Sequence, residues 1–212
     1  MKSSRLVIIN IIVILLIVAG GAAAAYYYNQ SVNYITTDNA KVDGQLVAVA
    51  APAPGELTSW TGKVGRAYSS GQTIGTVRTD KGVVNITMPA AGTIVQQSAV
   101  VHSVAGAGMT LARAFDLDNL WVTANIKETK INDVKLDQTV DIHVDAFPGT
   151  VLSGKVSQIG LATAGTFSLL PTTNTTGNYT KVTQVIPINI TVDGYRGLGL
   201  VPGMSVRIRI YK

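Results

Sequence analysis

The chain has 212 residues, of which 47% are hydrophobic and 14% charged, with 17 lysines and arginines against 12 aspartates and glutamates. It contains no cysteine, which excludes a disulfide framework, a thiol nucleophile and a zinc–thiolate site. The apolar content is too high for a disordered chain, and the basic residues are scattered rather than clustered, so nucleic-acid binding is not expected.

The first feature along the chain is a nearly continuous apolar run over residues 6–25, LVIINIIVILLIVAGGAAAA. A helix of this length, rising about 1.5 Å per residue, crosses a hydrocarbon core of about 30 Å. Lys2 and Arg5 precede the run, and no basic residue follows it before Lys41. By the positive-inside rule, this asymmetry predicts a cytoplasmic N-terminus and an extracytoplasmic location for the rest of the chain.

We therefore expect a cytoplasmic tail over residues 1–5 and a single-pass transmembrane anchor in the cytoplasmic (plasma) membrane over residues 6–28, with three tyrosines in its outer interface. A cleaved signal peptide is the alternative, because residues 22–25 are small and suit a cleavage region. The apolar run is longer than the usual core of a signal peptide, which favours a retained anchor. Both interpretations export the remainder of the chain.

An internal repeat follows the anchor. Residues 51–77 and residues 88–114 align without gaps when Pro52 is placed on Pro89, and several glycines and apolar positions then coincide. Each copy consists of short alternating runs separated by Gly and Pro, a pattern that predicts strands and turns. Since so short a unit cannot form a core alone, we expect the two copies to pair into one small β-sandwich over residues 47–115.

This repeat resembles the biotinyl/lipoyl-like domain, a flattened β-barrel of two quasi-symmetric halves. In lipoyl domains a modified lysine lies on the turn between the halves, and here that turn contains Asp80 and Lys81. Lys81 is therefore either a carrier lysine or a solvated turn residue. The second interpretation is favoured, because the ligating enzymes act in the cytoplasm and this domain is expected outside.

The second half of the chain alternates apolar with polar residues, a period of two that is typical of half-buried antiparallel strands. Five strands are predicted, with a short helix after the first, at residues 120–125, 127–135 (the helix), 139–146, 151–159, 182–192 and 204–211. Together with a strand over residues 34–46 that leads from the anchor, they predict a small antiparallel β-barrel domain over residues 116–212.

The segment 160–180 is long and rich in Thr, Gly and Asn. A loop of this length inside a compact domain is usually functional or disordered. Its Phe167, Leu169 and Leu170 either tuck beneath the loop or form an exposed contact edge, and the sequence leaves both interpretations open.

No catalytic set emerges from the sequence. His143 alternates with Asp141 and Asp145 on one predicted strand, so these three side chains could bind a metal weakly. Residues two apart on a strand are separated by about 6–7 Å, however, and a hydrated sheet face is the favoured interpretation. We expect no enzyme activity, no metal site and no cofactor.

Several motifs carry a family resemblance, in a fixed order along the chain. They are TDNAKVDG at residues 37–44, KET at 127–129, QTVDI at 138–142, DAFPG at 145–149, TFSLLP at 166–171, KVTQVIP at 181–187 and LVPGMSV at 200–206. This set resembles the haemolysin-D-type membrane fusion proteins, or periplasmic adaptors, in their EmrA-like branch.

The resemblance implies a non-catalytic adaptor that is anchored in the inner or plasma membrane, forms homo-oligomers and assembles with a major-facilitator-type transporter in multidrug efflux. Many members insert a long helical hairpin between the two lipoyl-like halves, whereas here only residues 78–84 join them. We therefore expect no long reach from the membrane. An anchored extracytoplasmic β binding module for an envelope polymer or small ligand, without a pump, is the alternative function.

Two segments are predicted as contact surfaces for partners, the strand that follows the anchor and the 160–180 loop. The candidate contact residues are Thr37, Asp38, Asn39, Ala40, Val42, Asp43, Gly44, Phe167, Leu169, Leu170, Pro171, Asn174, Gly177 and Asn178.

Overall fold

The computed structural model describes residues 2–167 and 183–212, and this part of the chain is mainly β. Helix α1 (Lys2–Asn33) is followed by strands that we number in chain order. They are β1 (Tyr34–Ala50), β2 (Gly55–Trp60), β3 (Ala67–Tyr68), β4 (Thr73–Thr79), β5 (Gly82–Thr87), β6 (Gly92–Gln97), β7 (Val104–Ala105), β8 (Thr110–Lys127), β9 (Thr139–Val144), β10 (Val151–Ile159), β11 (Val185–Thr191) and β12 (Ser205–Tyr211). Over the described residues, no helix combines the length and the apolar character that crossing a membrane requires.

Six strands close into an antiparallel barrel. They follow the order β1-β12-β9-β10-β11-β8, and a further pairing of β8 with β1 closes the ring. Inward side chains alternate with outward ones along each strand, so Val42, Val122, Ile142 and Ile208 are all completely buried in one core. Because β8 also pairs with β1, each of these six strands has a hydrogen-bonded neighbour on both sides, and none of them is a free edge.

A second core lies in a β-sandwich built from the internal repeat. One layer has the strand order β5-β4-β2-β7, and the other is formed by β3 and β6 with the adjoining parts of β8 and β1. Its centre contains Leu57, Ile74 and Ile86 from the first layer and Ile94 and Leu111 from the second, each at most 1% exposed.

The repeat seen in the sequence also governs the geometry of the sandwich. β2 and β3 in the first copy coincide with β6 and β7 in the second at the same spacing that aligns Pro52 with Pro89. Corresponding hydrogen bonds cross between the copies: Gly65 N donates to Ile94 O at 2.8 Å, and His102 N donates to Leu57 O at 2.7 Å. Each copy therefore completes the other, as expected for units too short to fold alone.

The turn between the two copies is short. β4 and β5 form a hairpin in which Thr79 pairs with Gly82, so Asp80 and Lys81 alone connect the strands. Gly82 has φ +125°, a conformation that side chains disfavour, and Thr79 Oγ1 donates to its carbonyl oxygen at 2.9 Å. No helical hairpin is inserted here, in agreement with the sequence, and Lys81 is an exposed turn residue.

Two long strands pass from one core to the other. The sequence predicts a domain boundary between residues 46 and 47, where the barrel strand should end and the sandwich begin, but β1 continues without interruption to Ala50. β8 likewise begins in the sandwich at Thr110 and ends in the barrel at Lys127, across the boundary predicted at residue 116. The two cores therefore share continuous backbone ladders, which local alternation could not reveal. The helix predicted at residues 127–135 is a shorter 3₁₀ helix, Glu128–Asp133.

Candidate partner-binding surface

The motif that follows α1 lies on β1, whose side chains alternate between the barrel core and the outer face. β1 is paired on both sides, with Ala40 opposite Val206 of β12 and also opposite Ala124 of β8. This double pairing fixes which face each residue presents. Asn39 and Lys41 are exposed and Asp43 is half-buried.

Polar side chains form a band on the outer face of the barrel, across the neighbouring strands β1, β8 and β11. We define this polar band as Asn39, Asp43, Thr123, Asn125 and Asn189. At one end, Asn125 Nδ2 donates to Asn39 Oδ1 at 3.0 Å. At the centre, Thr123 Oγ1 lies 3.4 Å from Asp43 Oδ2 and 3.3 Å from Asn189 Oδ1. Because a hydroxyl has a single proton to donate, Thr123 can satisfy only one of these two acceptors at a time.

Neighbouring side chains hold the polar band in place. Thr37 Oγ1 donates to the carbonyl oxygen of Asn125 at 3.2 Å, and Trp121 Nε1 donates to Thr123 Oγ1 at 3.2 Å. Lys41 Nζ lies 3.7 Å from Asp43 Oδ2. The Lys41 side chain is largely exposed and the two charged groups are 3.7 Å apart, so this ion pair contributes little to stability. The band is an ordered polar surface with donors and acceptors turned to solvent.

The structure divides the predicted contact residues of the first segment into two groups. Ala40 and Val42 point into the barrel core, and Gly44 is buried where a Cβ would lie 2.8 Å from Leu120 Cδ2. These three positions shape β1 but present no side chain to a partner. The side chains that a partner can reach are those of Thr37, Asp38, Asn39 and Asp43.

The predicted contact residues of the second segment fall mostly outside the described residues. Phe167 ends the 3₁₀ helix Ala164–Phe167, and its side chain is not among the described ones. The other six also lie outside the described residues, namely Leu169, Leu170, Pro171, Asn174, Gly177 and Asn178. Their role as contacts stays a prediction.

The sequence predicts the other strands of this surface but not the contribution of their outward side chains to it. Trp121, Thr123 and Asn125 form the outward half of the predicted strand LWVTAN, and their alternation was used only to assign a strand. The register that brings Asn125 beside Asn39 depends on the closure of β8 onto β1. Only the polar character of these outward positions was available in the sequence as a signal.

A second cluster lies where α1 joins the barrel. The rings of Tyr34 and Tyr211 meet edge to face with centroids 5.1 Å apart, and the Arg209 guanidinium lies 5.4 Å from the Tyr34 centroid. Tyr211 Oη donates to Asp141 Oδ2 at 2.7 Å. This hydrogen bond to a carboxylate raises the pKa of the Tyr211 phenol, because it favours the protonated form. The cluster therefore joins the start of β1 to the end of β12, next to the helix.

The histidine of the sequence analysis lies on a sheet face. His143 is directly opposite Val151 of β10 and Arg207 of β12, while Asp145 falls in the turn after β9. Within the described residues, no group of three or more His, Asp or Glu side chains is placed to hold a metal ion.

A six-strand barrel joined by shared strands to a two-copy sandwich combines a β-barrel domain with a barrel-sandwich hybrid domain. Residues 45–116 match the family described as "YhbJ, barrel-sandwich hybrid domain", and residues 119–212 match "CusB-like, beta-barrel domain". The chain is 41% identical over 210 residues to "Putative efflux system component YhbJ" of Bacillus subtilis (strain 168), which covers 99% of this chain and 94% of that protein. The chain therefore belongs to the membrane fusion protein family, as the motifs predicted.

A second sequence similarity supports the EmrA-like branch, and a structural similarity supports the fold. The chain is 36% identical over 110 residues to "Probable multidrug resistance protein EmrK" of Escherichia coli (strain K12). This alignment covers 51% of this chain but only 28% of that protein. The solved structure of "the periplasmic adaptor protein EmrA" superposes with a TM-score of 0.55 at 10% identity, over 85% of this chain and 99% of that chain. The structural likeness supports the fold alone.

Proposed function

We propose that this chain is the membrane-anchored adaptor subunit of an efflux system, working with a major-facilitator-type pump in multidrug export. The observation that carries the proposal is the direct continuation of α1 into the barrel, since Asn33 ends the helix and Tyr34 begins β1. β1 pairs with both β12 and β8, so the segment that leaves the helix is an integral strand of the barrel and tethers the barrel to any pump that contacts the helix.

The anchor is the first part of this proposal. Its support is the apolar sequence over residues 6–25, with Lys2 and Arg5 before it. The apolar side chains at residues 11–18 of α1 are exposed by 46% to 68%, a surface that lipid or a neighbouring helix would cover. We place the N-terminus inside and both β domains outside.

The contact with partners is the second part. Asp38 and two members of the polar band, Asn39 and Asp43, lie on the strand that leaves the helix, so they belong to the first folded surface outside the membrane in this arrangement. An ordered band of amides and carboxylates suits hydrogen bonding to the extracytoplasmic loops of a pump. We propose the same region, with the 160–180 loop, for contacts between copies in a homo-oligomer.

The two-residue turn at Asp80 and Lys81 limits the reach of the chain. A sandwich without an inserted hairpin extends no helical arm toward a second membrane, so the proposed system works across one membrane. The alternative is an anchored binding module that acts without a pump. No catalytic step is assigned to either function.

Deletion of the gene tests the proposal. We expect cells without the chain to accumulate a fluorescent drug such as ethidium to higher levels, and the wild-type gene to restore efflux. The variant Asp38→Lys should restore it poorly, whereas Asp80→Lys, a matched exposed change on the sandwich turn, should restore it fully. Unchanged drug accumulation and susceptibility after deletion would favour the binding module.

A further inference from the structure

An open cavity of about 710 Å³ lies at the end of the barrel that adjoins the sandwich. Its walls come from β8 at Asp118 and Trp121, from β11 at Asn189, and from the turn that follows β11 at Asp193 and Arg196. The volume falls within the range of about 300–1,000 Å³ that is typical of sites for drug-sized molecules. The cavity adjoins the polar band, because Asn189 belongs to both, but its other lining residues lie outside the band.

The first wall is formed by a bulge in β8. Gly44 of β1 pairs with Leu120, but Leu46 pairs with Phe115, so β8 carries extra residues between these two pairings. Asp116 stabilises the excursion, because its carboxylate accepts from Asp118 N at 3.0 Å and from Asn119 Nδ2 at 2.7 Å. Bulges of this kind redirect side chains at barrel rims, and this one brings Asp118 to the cavity.

The second wall is tied to the first by a buried tyrosine. Tyr195 is 9% exposed, and its hydroxyl accepts from Leu120 N at 3.0 Å while donating to the carbonyl oxygen of Asp118. Asp193 N donates to Ser153 O at 2.8 Å, which fixes the start of the turn. The cavity is therefore formed before any ligand arrives, and little ordering cost opposes binding.

The charges around the cavity are unbalanced. Neither the Asp118 nor the Asp193 carboxylate forms an ion pair with any residue in the described part of the chain. Arg196 also lines the space, so two negative charges face one positive charge. The cavity is thus acidic in a chain whose formal net charge is +5. Such a local reversal of sign favours a cationic occupant.

The uncharged lining residues indicate the chemical character of the rest of the ligand. Trp121 is half-buried and presents an indole, whereas Leu120 and Val192 also line the space but are only 5% and 6% exposed. Aromatic faces attract cations whose charge is spread over an apolar group. We infer that the cavity binds a small organic cation with an aromatic or apolar body. The identification of this cation as transported cargo rests on the proposed efflux function, whereas the binding itself does not.

The chain offers a clean fluorescence assay for this binding. Its two tryptophans are Trp60 and Trp121, so Trp60→Phe leaves the cavity indole as the sole reporter. Within the described residues, Trp60 Nε1 is buried without a hydrogen-bond partner, so its replacement removes an unsatisfied donor and the chain should stay folded. The probe is tetraphenylphosphonium, and the size-matched control is its anionic counterpart, tetraphenylborate.

With the full-length Trp60→Phe chain in nanodiscs, we expect tetraphenylphosphonium to quench Trp121 saturably and tetraphenylborate to leave it unchanged. In this background Asp118→Asn and Asp193→Asn should each weaken cation binding about 1.5- to 5-fold, the range for exposed charge pairs. The matched change Asp80→Asn, on the distant turn, should have no effect. Arg196→Gln should tighten binding, because it removes the repulsive charge.

Variants are compared only when their circular dichroism matches that of the parent chain. If an aspartate variant fails to fold, Arg196→Gln still tests the proposal. Its predicted effect is tighter cation binding, which a misfolded chain would not produce. The proposal is overturned if tetraphenylphosphonium does not quench Trp121 saturably, if tetraphenylborate binds as well, or if Arg196→Gln weakens cation binding. Loss of cation binding with intact pump assembly would reject the cavity and leave the adaptor function standing.

Discussion

The side-chain amide of Asn125 donates to Oδ1 of Asn39 at 3.0 Å, although the two residues are 86 positions apart in the chain. Asn39 lies on the strand that leaves α1, and Asn125 lies on the strand that began in the sandwich. This contact joins, at one point, the helix-linked part of the barrel to the strand that reaches both cores. The surface around it is where we expect a partner to bind.

A charge reversal at Asp38 should disrupt that binding without unfolding the barrel. Asp38 is exposed on β1, and surface substitutions of this kind usually change the free energy of unfolding by less than about 0.5 kcal/mol. A photo-crosslinking residue at position 38 should form adducts with a multi-span transporter, while the same residue at position 80 should not. Equal crosslinking from both positions would show that the surface is not selective.

Substitution of Gly154 should destabilise the barrel strongly. A Cβ at this position of β10 would overlap the carbonyl oxygen of Thr191, which belongs to a backbone that cannot move aside cheaply. We expect Gly154→Ala to lower the free energy of unfolding by about 1–3 kcal/mol or more. Gly106→Ala is the control, since no atom lies within 4 Å of its Cβ position. Urea denaturation measures both, and equal midpoints would contradict the packing described for β10.

The barrel core should depend on its inward side chains and tolerate loss of the outward ones. Ile142 of β9 is completely buried, and Val151 of the adjacent strand β10 is 54% exposed. Ile142→Ala should cost about 2–5 kcal/mol, whereas Val151→Ala should stay within about 0.5 kcal/mol. Thermal unfolding followed by circular dichroism separates the two, and a comparable loss in both would place Val151 in a buried contact.

The hydrogen bond between Tyr211 and Asp141 should make stability depend on alkaline pH. The pKa of Tyr211 is raised in the folded chain, so the unfolded chain loses the phenol proton first as the pH rises. The stabilisation is therefore complete below the ordinary tyrosine pKa of about 10 and disappears as the pH rises through the folded value. The difference in urea midpoint between wild type and Tyr211→Phe should accordingly shrink above about pH 10. A difference that grows with pH would contradict this sign.

The orientation of the chain can be read with single cysteines, because the natural sequence has none. Ser3→Cys should be protected from a membrane-impermeant maleimide in intact cells, and Ser70→Cys, at an exposed turn of the sandwich, should be labelled. Permeabilised cells should label both positions. Labelling of Ser3→Cys in intact cells would reverse the proposed topology, and a mature chain that lacks residue 3 would indicate cleavage.

Much of the fold was accessible from the sequence because it rests on local patterns. Alternation located β10 at its observed bounds of residues 151–159, and the repeat predicted the two-copy sandwich. The joined strands β1 and β8 were not accessible, since the closure of a sheet depends on partners far apart in the chain. For the same reason Ala40 and Val42 were included in a contact surface although both face the barrel core.

The cavity was less predictable still. It needs the bulge at residues 116–119 to meet the turn at Tyr195, and the contact that joins them spans 75 positions of sequence. Neither segment carries a spacing that indicates a site. Asp118, Asp193 and Trp121 acquire a common role only when the barrel is closed.

The central claim is that this chain is an adaptor for a membrane pump, and purification of the full-length chain from native membranes tests it most directly. The measurement is the molar ratio of co-purified multi-span transporter to the chain, determined in parallel for wild type and for Asp38→Lys. We predict one major-facilitator-type exporter in near-stoichiometric amount with wild type and much less with the variant. Recovery of the folded wild-type chain without any transporter would contradict the account.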